Sequence, residues 1–244
     1  MLGSIIPKPS WKWSAVGKHP LAKDYFQLGR NEALANSFAT WIDNGYQKLV
    51  SNDSKKETFH SWRFWLPGNR KGTIACGIGR SSSDRLGRPY PLLIIGMGTI
   101  KEWEQHWELL PAVFEGTWSR MEYLASAQFK DLKELEREIG QIKKPTMKEI
   151  PVTDSQSGDD IISSSDAIKA GAHDLIRENE FYAPVNDRPG HDAFSLVMQW
   201  HRGLKMHLKT RPAVVLMGGT PEKSYVAAFN RSLKANDFVK LWTI

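Results

Sequence analysis

Three consecutive serines, Ser81–Ser83, followed by Asp84, have the clearest potential for covalent chemistry. A serine hydroxyl becomes a nucleophile when a nearby histidine accepts its proton, and a carboxylate often orients that histidine. The segment lacks the Gly-x-Ser-x-Gly arrangement that exposes a nucleophilic serine on a sharp turn. Serine and aspartate also commonly satisfy the backbone groups of turns. Two alternatives therefore stay open, a hydrolytic serine and a structural loop.

The serines continue into a longer segment, Ser83–Leu92, in which Asp84 precedes Arg88 by four residues. That spacing lets the two charges pair across a turn, while glycine and proline fix the backbone path. A second segment of similar composition is Gly17–Gly29. We predict backbone-shaping roles for Gly17, Pro20, Gly29, Gly87, Tyr90 and Pro91. We predict that the polar members of both segments shape a docking surface for a protein partner: Lys18, Asp24, Ser83, Asp84 and Arg88.

Metal and cofactor chemistry finds little support in the residue pattern. The seven histidines form no His-Glu-x-x-His arrangement, and Cys76 is the single cysteine, so we expect no metal site and no intrachain disulfide. Gly77-x-Gly79 and Gly96-x-Gly98 lack the third glycine of a dinucleotide fingerprint. We interpret these glycines as strand-end turns and Cys76 as a small buried side chain, and we expect no cofactor.

The charge distribution argues against nucleic-acid binding, although the formal net charge is +6. Residues 151–192 contain nine acidic and three basic residues, whereas residues 201–244 contain eight basic and two acidic ones. The basic stretch directly follows the acidic one, so the two can neutralise each other within the chain. The N-terminus lacks a signal peptide and no apolar run reaches membrane-spanning length, so we predict a cytoplasmic protein without direct membrane insertion.

The first half of the chain alternates helical and strand patterns. Residues 30–50 show a helical apolar stripe, and strands are predicted at 59–66, 72–79 and 90–97. Helices are predicted at 101–128 and 129–142. The first of these should be broken near Leu110, because Pro111 follows. The run Leu92–Ile95 has no polar face, which is typical of a strand covered on both sides. We therefore predict an α/β fold, a central mostly antiparallel or mixed sheet flanked by helices on both faces as a layered α-β-α sandwich.

The composition changes after residue 144. We expect an N-terminal α/β region over residues 1–144, a polar linker or loop over 145–165, and a C-terminal extension over 166–244 that packs on the same domain. In the extension, residues 165–178 are predicted to be helical, 194–200 a strand that could also be a short helix, 212–217 a strand, 224–233 a helix, and 237–242 a short amphipathic turn.

The order of these features resembles a known family. Gly17–Gly29 fits the pattern G-K-x-P-x-x-x-D-[FY]-x-x-x-G, a helix with Trp41 and Gly45 follows, then a strand with Trp62, and then S-x-D-x-x-G-R-x-Y-P-L ending at Leu92. This series is similar to the TagF/ImpM proteins of bacterial type VI secretion systems. The similarity covers roughly residues 14–124, and the C-terminal part resembles the family only loosely.

The resemblance implies a compact α/β domain and a non-enzymatic regulator. Members of the family restrain type VI secretion after translation, by binding a forkhead-associated-domain scaffold or related components of a threonine-phosphorylation pathway. On this basis the expected partner is a forkhead-associated-domain protein of the secretion system. The alternative is a hydrolase or phosphatase-linked enzyme that uses the loop Ser81–Ser83, and it requires a serine within hydrogen-bond distance of a histidine.

Overall fold

The computed structural model describes residues 11–29, 33–51, 58–147, 166–185 and 192–244. The strands are β1 (Lys12–Gly17), β2 (Phe26–Gly29), β3 (Ser61–Pro67), β4 (Thr73–Arg80), β5 (Leu92–Thr99), β6 (Glu180–Pro184), β7 (Val214–Gly219) and β8 (Ser224–Phe229). The helices are α1 (Ala33–Ser51), α2 (Leu110–Leu124), α3 (Leu132–Gly140), α4 (Asp166–Glu178), α5 (Ala193–His207) and α6 (Ala235–Leu241).

All eight strands belong to one sheet with the order β2-β1-β5-β4-β3-β7-β8-β6. Every pairing between neighbouring strands is antiparallel. Helices cover both faces: α1 and α6 pack on one side, and α2 to α5 pack on the other. The predicted layered α/β fold with a mostly antiparallel central sheet is therefore confirmed.

Strand β5 shows why a strand without a polar face indicates a doubly covered sheet. Leu92 and Ile94 join the core beneath α2 to α5, whereas Leu93 and Ile95 join the core beneath α1 and α6. Successive side chains of a strand point to opposite faces, so both faces need an apolar cover. The prediction made from the run Leu92–Ile95 is confirmed.

The helix break predicted near Leu110 is also confirmed. A 3-10 turn at Trp107–Leu109 precedes α2, and Pro111 occupies the first turn of that helix. Proline is tolerated there because the first N–H groups of a helix have no intrahelical partner. In the described residues, no helix is both long and apolar enough to span a membrane.

Two secondary-structure predictions for the C-terminal part are wrong. The strand preferred at 194–200 is part of α5, whose start is capped by Asp192, where Oδ1 accepts a hydrogen bond from the Ser195 backbone N–H at 2.9 Å. The helix predicted at 224–233 is instead strand β8. Strand β8 faces an apolar core on both sides and so lacks alternation, while residues 194–200 are too few to show a helical period, so a strand and a helix are hard to distinguish in both segments. Of the linker predicted at 145–165, residues 148–165 lie outside the described residues.

The interpretation of the glycine pairs as strand-end turns is also wrong for β4 and β5. Gly96 and Gly98 lie within β5, where the rings of Trp13 and Trp11 occupy the space a side chain would need. A Cβ at Gly96 would lie 1.9 Å from the Trp13 ring. The two tryptophans stack on each other with ring centroids 5.2 Å apart. Cys76 is fully buried in β4, as predicted, and burial raises the pKa of its thiol.

One buried polar pair joins β3 to α5. The Trp65 indole N–H donates to Nε2 of His201 at 3.1 Å, and His201 Nδ1 lies 2.8 Å from the Val197 carbonyl oxygen. These partners determine which ring nitrogen of His201 accepts and which donates, because an indole N–H can only donate and a carbonyl oxygen can only accept. His201 is therefore neutral, with its proton on Nδ1, and its burial lowers its pKa from 6.5 to about 4.

Candidate functional site

The two loop segments singled out in the sequence meet in space. The first is the turn between β1 and β2, and the second is the connection between β4 and β5. The Arg85 backbone N–H donates to the Ala22 carbonyl at 2.8 Å, and the Arg88 guanidinium donates to the Lys23 carbonyl at 2.9 Å. Segments more than 60 residues apart in sequence thus form one structural unit, which we call the paired loops.

The Asp84 carboxylate is the centre of the paired loops, and its side chain is fully buried. Its Oδ1 accepts the backbone N–H groups of Leu86 at 2.9 Å and Arg88 at 3.0 Å. Its Oδ2 accepts Lys18 Nζ at 3.0 Å and Arg88 Nε at 2.7 Å. A buried carboxylate is stable only when its lone pairs are satisfied, and here four donors satisfy them. Asp84 therefore holds the backbone of its own loop and links it to the other.

The electrostatics of Asp84 follow from these contacts. Burial alone would raise the pKa of the carboxyl, but the hydrogen bonds from Lys18, from the backbone of Arg88 and Leu86 and from the Arg88 side chain outweigh it and lower the pKa to about 2. The carboxylate is thus charged across the physiological range. Lys18 supplies part of this charge compensation and is itself largely covered, with 13% of its side chain exposed.

Asp24 and Arg88 form the solvent-facing rim. Asp24 is 64% exposed and Arg88 50%, and they approach each other to 3.2 Å between Asp24 Oδ2 and an Arg88 terminal nitrogen. The Tyr25 backbone N–H donates to Asp24 at 2.8 Å and, together with Arg88 and Lys18, lowers the pKa of the Asp24 carboxyl. Of the five predicted docking residues, Asp24 and Arg88 are accessible, whereas Asp84 and Lys18 act within the structure.

The remaining docking candidate, Ser83, pairs with Pro89 across the base of the loop in an isolated antiparallel bridge. The Gly87 N–H donates to the Asp84 carbonyl at 2.9 Å, which closes a turn. Leu86 lies at the tip of this turn and is 74% exposed. No sequence signal singled out Leu86, because an apolar residue in a short loop does not by itself indicate exposure.

Aromatic residues fasten the paired loops to α1. The Tyr90 hydroxyl donates to Asp43 Oδ1 at 3.1 Å, and the Tyr46 hydroxyl donates to the Pro89 carbonyl at 2.8 Å. The rings of Tyr25 and Tyr46 both contact the Tyr90 ring edge-to-face, with centroids 5.5 and 5.0 Å away. Burial, followed by the Asp43 charge, raises the Tyr90 pKa well above its ordinary value. Tyr90 thus ties the loop rigidly to the helix.

The predicted backbone-shaping residues divide into two groups. Gly17 has φ +125°, and a Cβ there would lie 2.1 Å from the Pro91 carbonyl oxygen, so only glycine fits where β1 meets the start of β5. Pro20 is the second residue of the turn His19–Ala22, which the Ala22 N–H closes on the His19 carbonyl at 2.8 Å. Gly29 lies away from the contacts between the two loops, because it ends β2, where its N–H donates to Glu136 of α3.

The serine loop borders a cavity of about 650 Å³. Its wall includes Ser81–Ser83 and His60, so a serine and a histidine do share a cleft. The contact between them is nevertheless structural: Ser81 Oγ accepts the backbone N–H of His60 at 3.0 Å. The His60 ring instead donates from Nδ1 to the Thr58 carbonyl at 3.0 Å. Among the described residues, no hydroxyl of this loop hydrogen-bonds a histidine ring.

The part of the chain that the structure describes contains no group of three or more His, Cys, Asp or Glu side chains arranged to hold a metal ion. The paired loops present a buried charge centre at Asp84, a polar rim of Asp24 and Arg88, and an apolar tip at Leu86. Preorganised surfaces of this kind lose little conformational entropy on binding.

Comparison with known proteins places these elements in a family. One solved structure, PA0076 from Pseudomonas aeruginosa PAO1, matches with a TM-score of 0.51 at 16% identity, covering 96% of this chain and 94% of its own. That likeness shows a shared fold. Among curated proteins no sequence matches the chain. The model of the type VI secretion system-associated TagF N-terminal domain matches residues 14–144, a span that contains both paired loops. The chain therefore belongs to the TagF family of type VI secretion system-associated proteins.

Proposed function

We propose that this protein is a non-enzymatic, cytoplasmic regulator of a bacterial type VI secretion system. It acts after translation by binding a forkhead-associated-domain scaffold or a related component of the apparatus. The observation that carries the proposal is the TagF N-terminal domain match over residues 14–144. The matched span includes the paired loops and all of the strands and helices that position them.

The geometry of the serine loop supports a binding role over the hydrolase alternative. A serine nucleophile needs a base within about 2.6–3.2 Å of its hydroxyl. Ser81 Oγ is engaged with a backbone N–H, and the His60 ring is oriented by a carbonyl. Asp84, the acid nearest in sequence, is bound to Lys18 and Arg88 rather than to a histidine. Ser81 and Asp84 thus serve the loop backbone rather than a catalytic histidine.

The paired loops are the proposed docking surface. Leu86 is an exposed apolar side chain on a loop that the Asp84 hydrogen bonds hold fixed. Interfaces draw most of their affinity from a few such side chains that insert into the partner, surrounded by a polar rim. Asp24 and Arg88 supply that rim, and exposed charges of this kind contribute more to orientation and association rate than to affinity.

Capture of the partner from the native host tests the proposal. The affinity-tagged chain should co-purify with a forkhead-associated-domain protein of the secretion system, and deletion of its gene should raise assembly and secretion. If secretion is unchanged and no such protein is captured, the proposed regulatory role is wrong.

Two matched variants test the docking surface separately. Leu86→Ser should reduce partner capture at least about fivefold, as expected for the loss of an interface anchor, with little change in melting temperature. Met206→Ser is the control, since Met206 is 67% exposed on α5 and lies outside the paired loops. Equal capture by both variants would remove the paired loops as the docking site while leaving the regulatory role standing.

A further inference from the structure

The cavity beside the serine loop contains a cation that lacks a carboxylate partner. Arg80, the last residue of β4, lies in the wall of this cavity of about 650 Å³. Its Nε is buried and makes no hydrogen bond, and one terminal nitrogen donates weakly to the Glu122 carbonyl at 3.4 Å. Among the described residues, no acidic side chain forms an ion pair with Arg80. Partly buried arginines are normally matched by an anion, so this one is available to bind one.

Glu122 does not fill that role, because its carboxylate is already engaged. Both of its oxygens bind Arg63, at 2.7 Å to Nε and 2.8 Å to a terminal nitrogen. Arg80 is instead covered on one side by the Phe59 ring, whose centroid lies 4.8 Å from Cζ. Burial lowers the pKa of Arg80, and the distant Glu122 charge offsets this only in part. Bound anionic oxygens would supply the missing compensation.

Hydroxyl groups and an imidazole line the same cavity. Ser81 Oγ accepts the His60 backbone N–H, which leaves the serine proton free to donate to a ligand. Ser82 and Ser83 add two further hydroxyls to the wall. Because His60 Nδ1 donates to Thr58, Nε2 of the neutral ring carries a lone pair. Nε2 is buried and makes no hydrogen bond, so it is not open to a ligand, and burial lowers the pKa of His60 against the opposing contacts with the Thr58 and Ile244 backbones.

The number of donors in the wall distinguishes between anions. A carboxylate presents two acceptor oxygens, whereas a phosphate monoester presents three terminal oxygens. The third oxygen lets one bound group contact Arg80 and the serine hydroxyls through separate oxygens. Apolar walls from Phe59, Tyr46 and Trp242 extend the site beyond the charged end. The volume lies in the range of about 300–1,000 Å³ that is usual for small-molecule sites.

We propose that this cavity binds a small phosphate monoester with an apolar or aromatic body, its phosphate held by Arg80 and the serine hydroxyls and its body against Phe59, Tyr46 and Trp242. The inference goes beyond the regulatory role and does not depend on it. The cavity also borders the loop that carries Leu86, since Gly87 and Pro89 lie in its wall.

Calorimetric titration of the full chain with phenyl phosphate at pH 7 and 0.15 M salt tests the site. We expect saturable binding with one site per chain, and a Kd at least about tenfold higher for Arg80→Gln, which loses charge-assisted hydrogen bonds. Arg85→Gln is the matched control, because it removes the same charge five residues away, from an exposed position that does not line the cavity, and should stay within about twofold of the parent.

A second variant keeps the test decisive if Arg80→Gln does not fold. Ser82→Ala removes one hydroxyl from the wall and should raise the Kd about threefold with an unchanged melting temperature. Three results would overturn the proposal: no saturable binding of phenyl phosphate, equal losses for Arg80→Gln and Arg85→Gln, or benzoate binding as tightly as phenyl phosphate. The last would identify a carboxylate site instead.

Discussion

The stability of this protein should fall in mild acid because of His201. In the folded state Nε2 accepts the Trp65 N–H, so protonation of that nitrogen would place two donors against each other inside the core. The folded pKa of about 4 lies below the ordinary 6.5, so the unfolded chain binds the proton more readily. Stability is therefore complete above about pH 7 and is lost progressively as the pH falls from 6.5 towards 4.

The size of the effect follows from the two pKa values. Their difference corresponds to about 3 kcal/mol once both the folded and the unfolded states are protonated, below pH 4, and about 2 kcal/mol of this should be lost between pH 7 and pH 4.5. His201→Gln cannot titrate, yet its amide oxygen can accept the Trp65 N–H. The variant should be less stable than the parent at pH 7 through lost packing, but its decline towards pH 4.5 should be about 2 kcal/mol smaller.

Urea unfolding followed by tryptophan fluorescence at the two pH values measures this difference directly. His173→Gln serves as the control, because His173 lies on the exposed face of α4, and it should decline as the parent does. Burial also lowers the pKa of His19 and His60, so some acid sensitivity should persist in every variant. Identical declines in the parent and His201→Gln would refute the argument that His201 is buried in the neutral form.

Three further predictions concern the loops and the sheet. Asp84→Asn should lower the melting temperature at pH 7. It should also make the melting temperature fall less between pH 4 and 2, since the parent carboxylate has a pKa of about 2 and loses its stabilising charge only in that window. An equal fall of the melting temperature in parent and variant over this window would contradict the prediction. Gly96→Ala should cost about 2 kcal/mol in urea unfolding because its methyl group overlaps the Trp13 ring, whereas Gly116→Ala, with open space around it, should be neutral or stabilising. Arg88→Ala should weaken partner capture and also lower the melting temperature, because the buried Asp84 carboxylate loses one of its four donors; undiminished capture by the folded variant would make Arg88 a structural residue alone.

Sequence patterns predict the sandwich well where an element has one clear period. Helix α1 shows a single apolar stripe, and the run Leu92–Ile95 is apolar at every position, which indicates helices on both sides of the sheet. The patterns fail at β8 and α5. Val226 and Ala228 face one core while Ala227 faces the other, so β8 lacks the alternation that marks a strand.

The candidate site, like the fold, could be predicted from the sequence only in part. The four-residue spacing of Asp84 and Arg88 indicates their ion pair, and glycine and proline indicate a stiff loop. Nothing local shows that Asp84 is buried, because Lys18, one of the two side chains that balance its charge, lies 66 residues away in the chain. The unpaired state of Arg80 is equally hidden, since it depends on Glu122 being bound to Arg63. Long-range contacts of this kind lie beyond any periodicity.

The position of β3 has a consequence for where this protein can be divided. The family match ends at residue 144, but β3 lies between β4 on one side and β7 on the other. A fragment that stops at the family boundary would expose the free N–H and C=O groups of Ser61–Trp65 along a newly created sheet edge. It would also leave the Trp65 indole without His201 and remove α6 from the face that it covers. We expect such a fragment to self-associate through β3 rather than to fold independently at the boundary that similarity defines.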